Sequence, residues 1–402
     1  YVAPQTFGTT GILDSAGELL ESVSLPRSFD PQGGQLEVEV APTLGSAILR
    51  ALDVLEIYPY PTTDQLISRF LPTLEIYRVM QEFDLDEPGL RSRLDRILDD
   101  SRSQLAERQN DDGGWGWWQD SRSDPLISAY VILGLSQARE AGIAFDSEII
   151  ENGAEYLRAA LPTVDMLEES WQLDRLSFLH YALAEADQVD AAGVSQLFKA
   201  RHRLNPWAQA ILALTLDQLD PQDERARQLF SDLESSASRS ATGAHWENRE
   251  PGWQNMSSPI QATAVVLYAL AKHDPASPLV ADGLRYLMTH REASGAWPST
   301  YETAWTIMAA AQVMRGTGEL RGDFDFSVSL NGRPLLAGKA SPATDVSPVS
   351  AEVPLNDFDR NDPNVLMIER GSGSGRLYYR THLRLNQPVE QVSPLSSGLN
   401  LS

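Results

Sequence analysis

Gly113-Gly114-Trp115-Gly116-Trp117-Trp118 runs through Asp124-Pro125 into Leu126-Ile127-Ser128-Ala129-Tyr130-Val131-Ile132-Leu133-Gly134-Leu135, and this loop, cap and apolar helix form a unit that recurs. Gly252-Trp253 leads through Ser258-Pro259 into Ile260 to Leu270, and Gly295-Ala296-Trp297 leads through Ser299 into Thr300 to Ala311. Asp or Ser followed by Pro is an N-cap with proline at the first helical position, where its missing N–H costs nothing. The helices that follow are apolar on most faces, so each must be buried on several sides. The uneven spacing describes a weak repeat of helical hairpins rather than a strict solenoid, and the inner ring of a two-layered α/α toroid satisfies it. The Trp residues of these loops are expected to wedge the end of that toroid.

Apolar residues at i, i+3 and i+4, punctuated by Pro and Gly, extend this reading to about a dozen helices of roughly 12 to 20 residues. Ser46 to Tyr58, Asp64 to Phe83, Leu90 to Arg108, Pro125 to Ala141, Ser147 to Ala160, Pro206 to Leu219, Pro259 to His273 and Tyr301 to Arg315 are examples. The ends of the chain are different material. All nine Trp lie between Trp115 and Trp305. Leu36, Val38 and Val40 alternate with Glu37 and Glu39, while Phe324, Phe326, Val328 and Leu330 alternate with polar residues before an Asn331-Gly332 turn. Leu377, Tyr379, Thr381, Leu383 and Leu385 repeat the period of two that marks a half-buried strand. Neither end offers enough strands for a core of its own, so one β-sandwich built from both ends, with the helices inserted into it, is expected.

Composition narrows the chemistry. The 402 residues carry 32 Lys+Arg against 56 Asp+Glu, a formal charge of −24, which disfavours nucleic acid and anionic membrane surfaces as partners. There is no cysteine, hence no disulfide, Cys-ligated zinc, thiolate nucleophile or thioester. No apolar run reaches the roughly 18 residues that suggest a membrane span, and the opening at Tyr1 lacks an initiator Met and a signal peptide, as if the chain were cut from something larger. The six His form no HExxH and no i, i+4 pair; His245, beside Trp246 and Glu247, has the most suggestive company. Phosphate-binding Gly loops and a GxSxG elbow are absent too, so neither cofactor nor metal is expected. Asp111, Asp112, Asp120 and Asp124 crowd the Gly/Trp loop as an acid pair of a glycosidase would, but turn and cap roles account for them.

The remaining stretch of interest is Tyr58-Pro59-Tyr60-Pro61-Thr62-Thr63-Asp64-Gln65-Leu66-Ile67-Ser68-Arg69-Phe70-Leu71-Pro72. Thr62 with Gln65 three residues later reads as a capping box, as do Ser258 with Gln261 and Ser299 with Glu302. The same stretch resembles the thioester region of the bacterial alpha-2-macroglobulin and complement family, Tyr-Pro-Tyr-Gly-Cys-x-Glu-Gln. Tyr58, Pro59, Tyr60 and Gln65 match, Pro61 replaces Gly, Thr62 stands where the cysteine would be, and Asp64 replaces Glu. Trp297 to Trp305 resembles the family's Trp-x-Ser-Thr-x-Glu-Thr-Ala-Trp signature, and Asn110 to Trp118 its middle Gly/Trp loop.

The resemblance implies an α+β multidomain chain in which an α/α toroid of about six hairpins is inserted into a CUB-type antiparallel β-sandwich. Residues 1–45 and 321–388 would form the sandwich, 46–320 the toroid without its thioester, and 389–402 a linker toward a further C-terminal domain. It implies a fragment of a non-enzymatic endopeptidase inhibitor, periplasmic and envelope-anchored in the full-length protein, that meets proteases or envelope proteins without covalent capture. Thr62 and Gln65 would be the inactive thioester-equivalent positions, flanked by Tyr58, Pro59, Tyr60 and Asp64. The competing expectations are an α/α-toroid enzyme acting on glycans or isoprenoids, with Asp111, Asp112 or Asp120 converging in a pocket, and a protein-docking scaffold.

Overall fold

The computed structural model describes residues 2–26, 29–56, 61–84, 88–240, 243–249, 253–292, 294–317, 322–341, 348–359 and 362–388. Three strands open the chain: β1 (Val2–Leu13), β2 (Gly17–Val23) and β3 (Asp30–Ala41). Then come α1 (Leu44–Glu56), α2 (Thr63–Glu82), α3 (Pro88–Glu107), α4 (Pro125–Glu140), α5 (Ser147–Ala160), α6 (Ser170–Glu185), α7 (Ala191–Lys199), α8 (Pro206–Leu219) and α9 (Glu224–Ser236). A short hairpin of β4 (Ser238–Ser240) and β5 (Gly243–His245) precedes α10 (Pro259–His273), α11 (Pro278–Thr289) and α12 (Thr300–Thr317). The chain closes on β6 (Phe324–Leu330), β7 (Arg333–Ala340), β8 (Val349–Pro354), β9 (Asn364–Arg370) and β10 (Leu377–Pro388). All eight helices named from sequence are present within two residues at each end. The linker expected at 389–402 lies outside the described residues. Two compact units result, Tyr1–Ala47 with Glu319–Ser402, and Ile48–Gly318.

The first unit holds two four-stranded antiparallel sheets, ordered β1-β10-β3-β8 and β2-β9-β6-β7. Each sheet mixes strands from both ends of the chain. In the first, Leu383 of β10 stands opposite Phe7 of β1 and Leu36 of β3. The alternation read from sequence is the inward face: Leu36, Val38 and Val40 share a core with Phe324, Phe326 and Val328. Asn331 and Gly332 both take positive φ, 52° and 76°, the requirement of the tight turn that joins β6 to β7. Strands β1, β2, β7, β8 and β9 carried no expectation, since Gly, Pro and charged residues break their alternation.

In the second unit α2, α4, α6, α8, α10 and α12 each pack on the next, and α12 packs back on α2. The ring is therefore closed, and its helices are buried almost throughout, as Leu126 to Ala138 of α4 are. The intervening helices form the outer layer and bury one stripe: Ile150, Gly153, Ala154 and Leu157 in α5, or Ala226, Leu229, Phe230 and Leu233 in α9. This is the amphipathic spacing of a helix with solvent on its far side. The sequence difference between inner and outer helices is thus a difference in how many neighbours each must have.

Ion pairs tie the helices together. Arg69 of α2 reaches Asp100 (2.7 Å) and Ser101 of α3 in the outer layer, while Arg78 of α2 holds Glu75 of the same helix at 3.0 Å and Glu140 of the inner helix α4 at 3.2 Å. Partial desolvation opposes the charge of Lys272, and the neighbouring Tyr268, Glu185 and Glu75 outweigh it and raise its ammonium pKa.

The Trp wedges repeat with one change of register. The indole of Trp115 donates to the Leu105 carbonyl at the end of α3, and the indole of Trp297 to Leu287 of α11, both at 2.8 Å. Their backbone amides donate to a hydroxyl in the first turns of the next inner helix, Ser128 at 2.8 Å and Thr303 at 3.0 Å. In the middle copy the residue that does this is Trp246, with its indole on Leu233 (2.8 Å) and its amide on Thr263 (3.1 Å). Trp253, the residue the sequence pattern selects, is 78% exposed, and Trp118 is 62% exposed. The expectation that these two wedge the ring is corrected: a β-hairpin inserted after α9 moves the wedge upstream of the Gly-Trp pair. Trp246→Ala is expected to cost about 3–5 kcal/mol of unfolding free energy in urea titrations. Trp253→Ala should stay within about 0.5 kcal/mol of the parent chain.

Candidate functional site

The capping device at Thr62 fixes the start of α2. Thr62 is extended at φ −65°, ψ 166°, the capping box with Gln65 is formed, and the Thr62 amide donates to Gln65 Oε1 at 3.1 Å. The next amide, of Thr63, donates to the Trp117 carbonyl at 2.9 Å, and Arg108 donates to the Pro61 carbonyl at 2.9 Å. The α3–α4 connection therefore holds the segment at two points. Thr63 is fully buried, and among the described residues its hydroxyl has no hydrogen-bond partner.

Behind this helix start lies an aromatic cluster drawn from four inner helices. Tyr130 of α4 meets Tyr301 edge-on at 5.3 Å and stacks on Trp305 of α12 at 6.5 Å. Phe178 of α6 and Tyr268 of α10 pack edge-on against Trp305 at 6.3 and 6.0 Å. Such pairs add about 0.5–1.5 kcal/mol beyond area burial and fill the middle of the ring with rigid rings. Burial raises the phenols of both Tyr130 and Tyr301; the neighbouring Tyr301 adds to the rise at Tyr130, and Asp64 contributes a smaller part at each. Burial likewise pushes the Asp64 carboxyl above its ordinary range, against hydrogen bonds from Thr62 and the Asp64 and Gln65 amides. The result is an aromatic-backed helix N-terminus in which Thr63 is fully buried and Thr62, Asp64 and Gln65 are half-buried. A group attached at Thr62 would be partly shielded from water.

The other two capping boxes are half-formed. Gln261 N donates to Ser258 Oγ at 3.1 Å, but Gln261 Oε1 accepts from Ser257 instead of reaching back. Glu302 N donates to Ser299 Oγ at 3.1 Å, while the Glu302 carboxylate accepts from Ser299 Oγ at 2.8 Å and from Ser258 Oγ. Glu302 thus bridges the N-termini of α10 and α12, where two helix dipoles favour an anion. Sequence reasoning saw a local cap there and missed the bridge, because Ser258 is 44 residues away.

The remaining candidates disperse. Tyr58, Pro59 and Tyr60 lie outside the described residues. Asp112 accepts from Gly114 N at 3.0 Å and from Ser123 Oγ, and Asp124 caps α4 through the amides of Leu126 and Ile127. Asp111 and Asp120 are exposed in two separate turns of the same loop, so the acids serve the loop and do not converge. His245 pairs with Glu247 at 3.1 Å and stacks on Tyr286 at 4.5 Å. Among the described residues no group of three His, Asp or Glu could hold a metal, and no helix is long and apolar enough to cross a membrane.

A closed two-layered ring of helices, joined in sequence to an antiparallel sandwich from both chain ends and carrying its helix caps around an aromatic centre, defines the class of architecture. Residues 172–312 match the A-macroglobulin TED domain family. That span includes Trp297 to Trp305 and begins after Tyr58 to Pro72. The chain is 24% identical over 221 residues to alpha-2-macroglobulin of Thermotoga maritima, covering 55% of this chain and 12% of that protein. The native alpha-2-macroglobulin of Escherichia coli, solved from domain MG7 to the C-terminus, superposes with a TM-score of 0.64 at 17% identity, covering 98% of this chain and 58% of that one. The trypsin-activated Escherichia coli protein gives 0.54 at 18%, covering 98% and 25%. The chain spans about an eighth of the length of the curated Thermotoga relative. In sequence and in fold it is similar to the bacterial alpha-2-macroglobulins, and it has no cysteine.

Because burial raises Asp64, the folded chain holds that proton more tightly than the unfolded chain does. The contribution is present below the unfolded value of about 4 and is lost as pH rises through the raised one. Asp64→Asn is therefore expected to gain stability relative to the parent as pH rises above about 4 and through the raised Asp64 value. Urea midpoints across that range should diverge; a constant offset would rule out a titrating, desolvated Asp64.

Proposed function

We propose that this chain is the toroid and CUB-type sandwich of an alpha-macroglobulin-like protein that works without a thioester. Residues 1–45 and 321–388 form the sandwich and 46–320 the toroid. Thr62 and Gln65 occupy the thioester-equivalent positions, with Asp64 and, upstream in sequence, Tyr58-Pro59-Tyr60 as the flanking residues of the motif. The observation that carries the reading is the sheltered start of α2, where Thr62 and Gln65 are locked together by a hydrogen bond at the place the resemblance assigns to the reactive pair.

The chemistry follows from the side chain. A thioester is an acyl group on a thiolate-derived sulfur, reactive toward amines yet durable when shielded. The Thr62 hydroxyl offers only an oxygen ester, which is far less readily aminolysed, so the frame serves packing rather than acylation. The complete protein then meets endopeptidases non-covalently, by conformational trapping after cleavage elsewhere in its chain, in the periplasm and attached to the envelope. The trypsin-activated state of the Escherichia coli relative supports the protease as the kind of partner. The chain itself is a module of that trap and not an enzyme.

Two measurements test this together. The intact mass of the 402-residue chain should equal that of the unmodified sequence and stay unchanged after methylamine treatment; a deficit of one ammonia, restored as a methylamide, would establish an internal ester. The full-length protein should suppress cleavage of large protein substrates by a general endopeptidase while leaving small peptide substrates cleaved, with no covalent adduct on denaturing gels. This chain alone should do neither. Inhibition by these 402 residues, or an amide-linked protease adduct, would overturn the proposal.

A further inference from the structure

A polar cluster occupies the end of the inner ring opposite Thr62. Each inner helix is followed by an outer one that returns, so the last turns of α4, α6 and α10 gather at one end, about 20 Å along the helix axis from Thr62 at 1.5 Å per residue. Gln137 of α4 donates to the Tyr268 hydroxyl of α10 at 3.4 Å, and the Lys272 ammonium stands 5.2 Å from the centre of the Tyr268 ring. Tyr181 and Glu185, one turn apart on α6, complete the cluster: Glu185 lies beside Gln137 and faces Lys272, and Tyr181 lies beside Tyr268. Gln137, Tyr181, Glu185 and Tyr268 are buried, whereas Lys272 is exposed, so solvent reaches the cluster at its ammonium.

The bonding within this cluster is incomplete. Gln137 Oε1 and the Tyr181 hydroxyl are buried and, among the described residues, have no hydrogen-bond partner. Glu185 and Lys272 each shift the other's titration, yet among the described residues they form no ion pair. The nearby Glu75 is held by contrast, by Arg78 at 3.0 Å and Arg315 at 3.8 Å. Buried polar groups are ordinarily satisfied, by protein, water or ligand. Lys272 offers donors only and Gln137 Oε1 is an acceptor only, so a group that serves both must carry acceptors and donors together. A simple anion would meet the field of a −24 chain and the negative ends of the inner-helix dipoles, and a simple cation would meet Lys272. We propose that this end of the ring binds a small zwitterion of the α-amino-acid class. Its carboxylate accepts from Lys272 and the Tyr181 hydroxyl, and its ammonium donates to Gln137 Oε1 and Glu185.

The probe is glycine, titrated calorimetrically into the 402-residue chain, which should give a saturable isotherm. Acetate and ethylammonium each carry one half of the zwitterion and should bind at least about tenfold more weakly. Lys272→Met, at an exposed position, should lower glycine affinity at least about tenfold, and Glu185→Gln likewise, with circular dichroism confirming that each variant is folded. Lys199→Met, which removes an exposed lysine on α7, should leave the affinity unchanged. Four results would overturn the proposal: no saturable glycine binding, which would leave the cluster to an internal water; acetate bound as tightly as glycine, which would make it a plain anion site; full glycine affinity in Lys272→Met; or equal losses in Lys272→Met and Lys199→Met, which would reduce the effect to overall charge.

Discussion

Closure of the inner ring is the constraint on which the helical unit depends. Helices such as α4, α10 and α12 are apolar around most of their circumference, and an open stack would leave the first and last of them with a bare face. Packing α12 against α2 removes both bare faces at once. At about 25 cal/mol per Å² of apolar surface, a single uncovered helix flank would weigh against folding by several kcal/mol, comparable to the whole net stability of a domain. The aromatic cluster of Tyr130, Phe178, Tyr268, Tyr301 and Trp305 is the same constraint seen from the centre, since a ring of six helices leaves an axial space that only large side chains fill.

From closure follows the concentration of polar devices at the helix starts. Each inner helix begins after a loop that must turn sharply in a crowded layer, so caps are supplied by Asp124, Ser258 and Ser299, and wedges by Trp115, Trp246 and Trp297. Glu302 and the Thr63–Trp117 hydrogen bond then couple one cap to another. The start of α2 is one member of this set. Its sheltered character needs no special machinery beyond the ring.

Much of this was legible in the sequence. Helix positions followed from period 3.6 and from Pro and Gly punctuation, and the expected limits of α5, α8 and α10 coincide with the observed ones. The nested order followed from strands whose only available partners were at the opposite chain end. Trp246 was not legible as a wedge, because the Gly-Trp pair at 252–253 imitates the pattern better than the residue that performs the role.

The sequence by itself determined which segments are helices, which of those must be buried on several sides, that no thiol chemistry is possible, and that the helix at Thr63 starts with a cap. These are local or compositional properties, set by propensity, period and side-chain identity. Only the tertiary structure decided the partners: that α12 closes on α2, that Glu302 serves two helix N-termini, that Asp64 is desolvated against Tyr130 and Tyr301, and that β10 lies between β1 and β3. Each is a contact between residues far apart in the chain, fixed by which surfaces remain uncovered once local structure has formed.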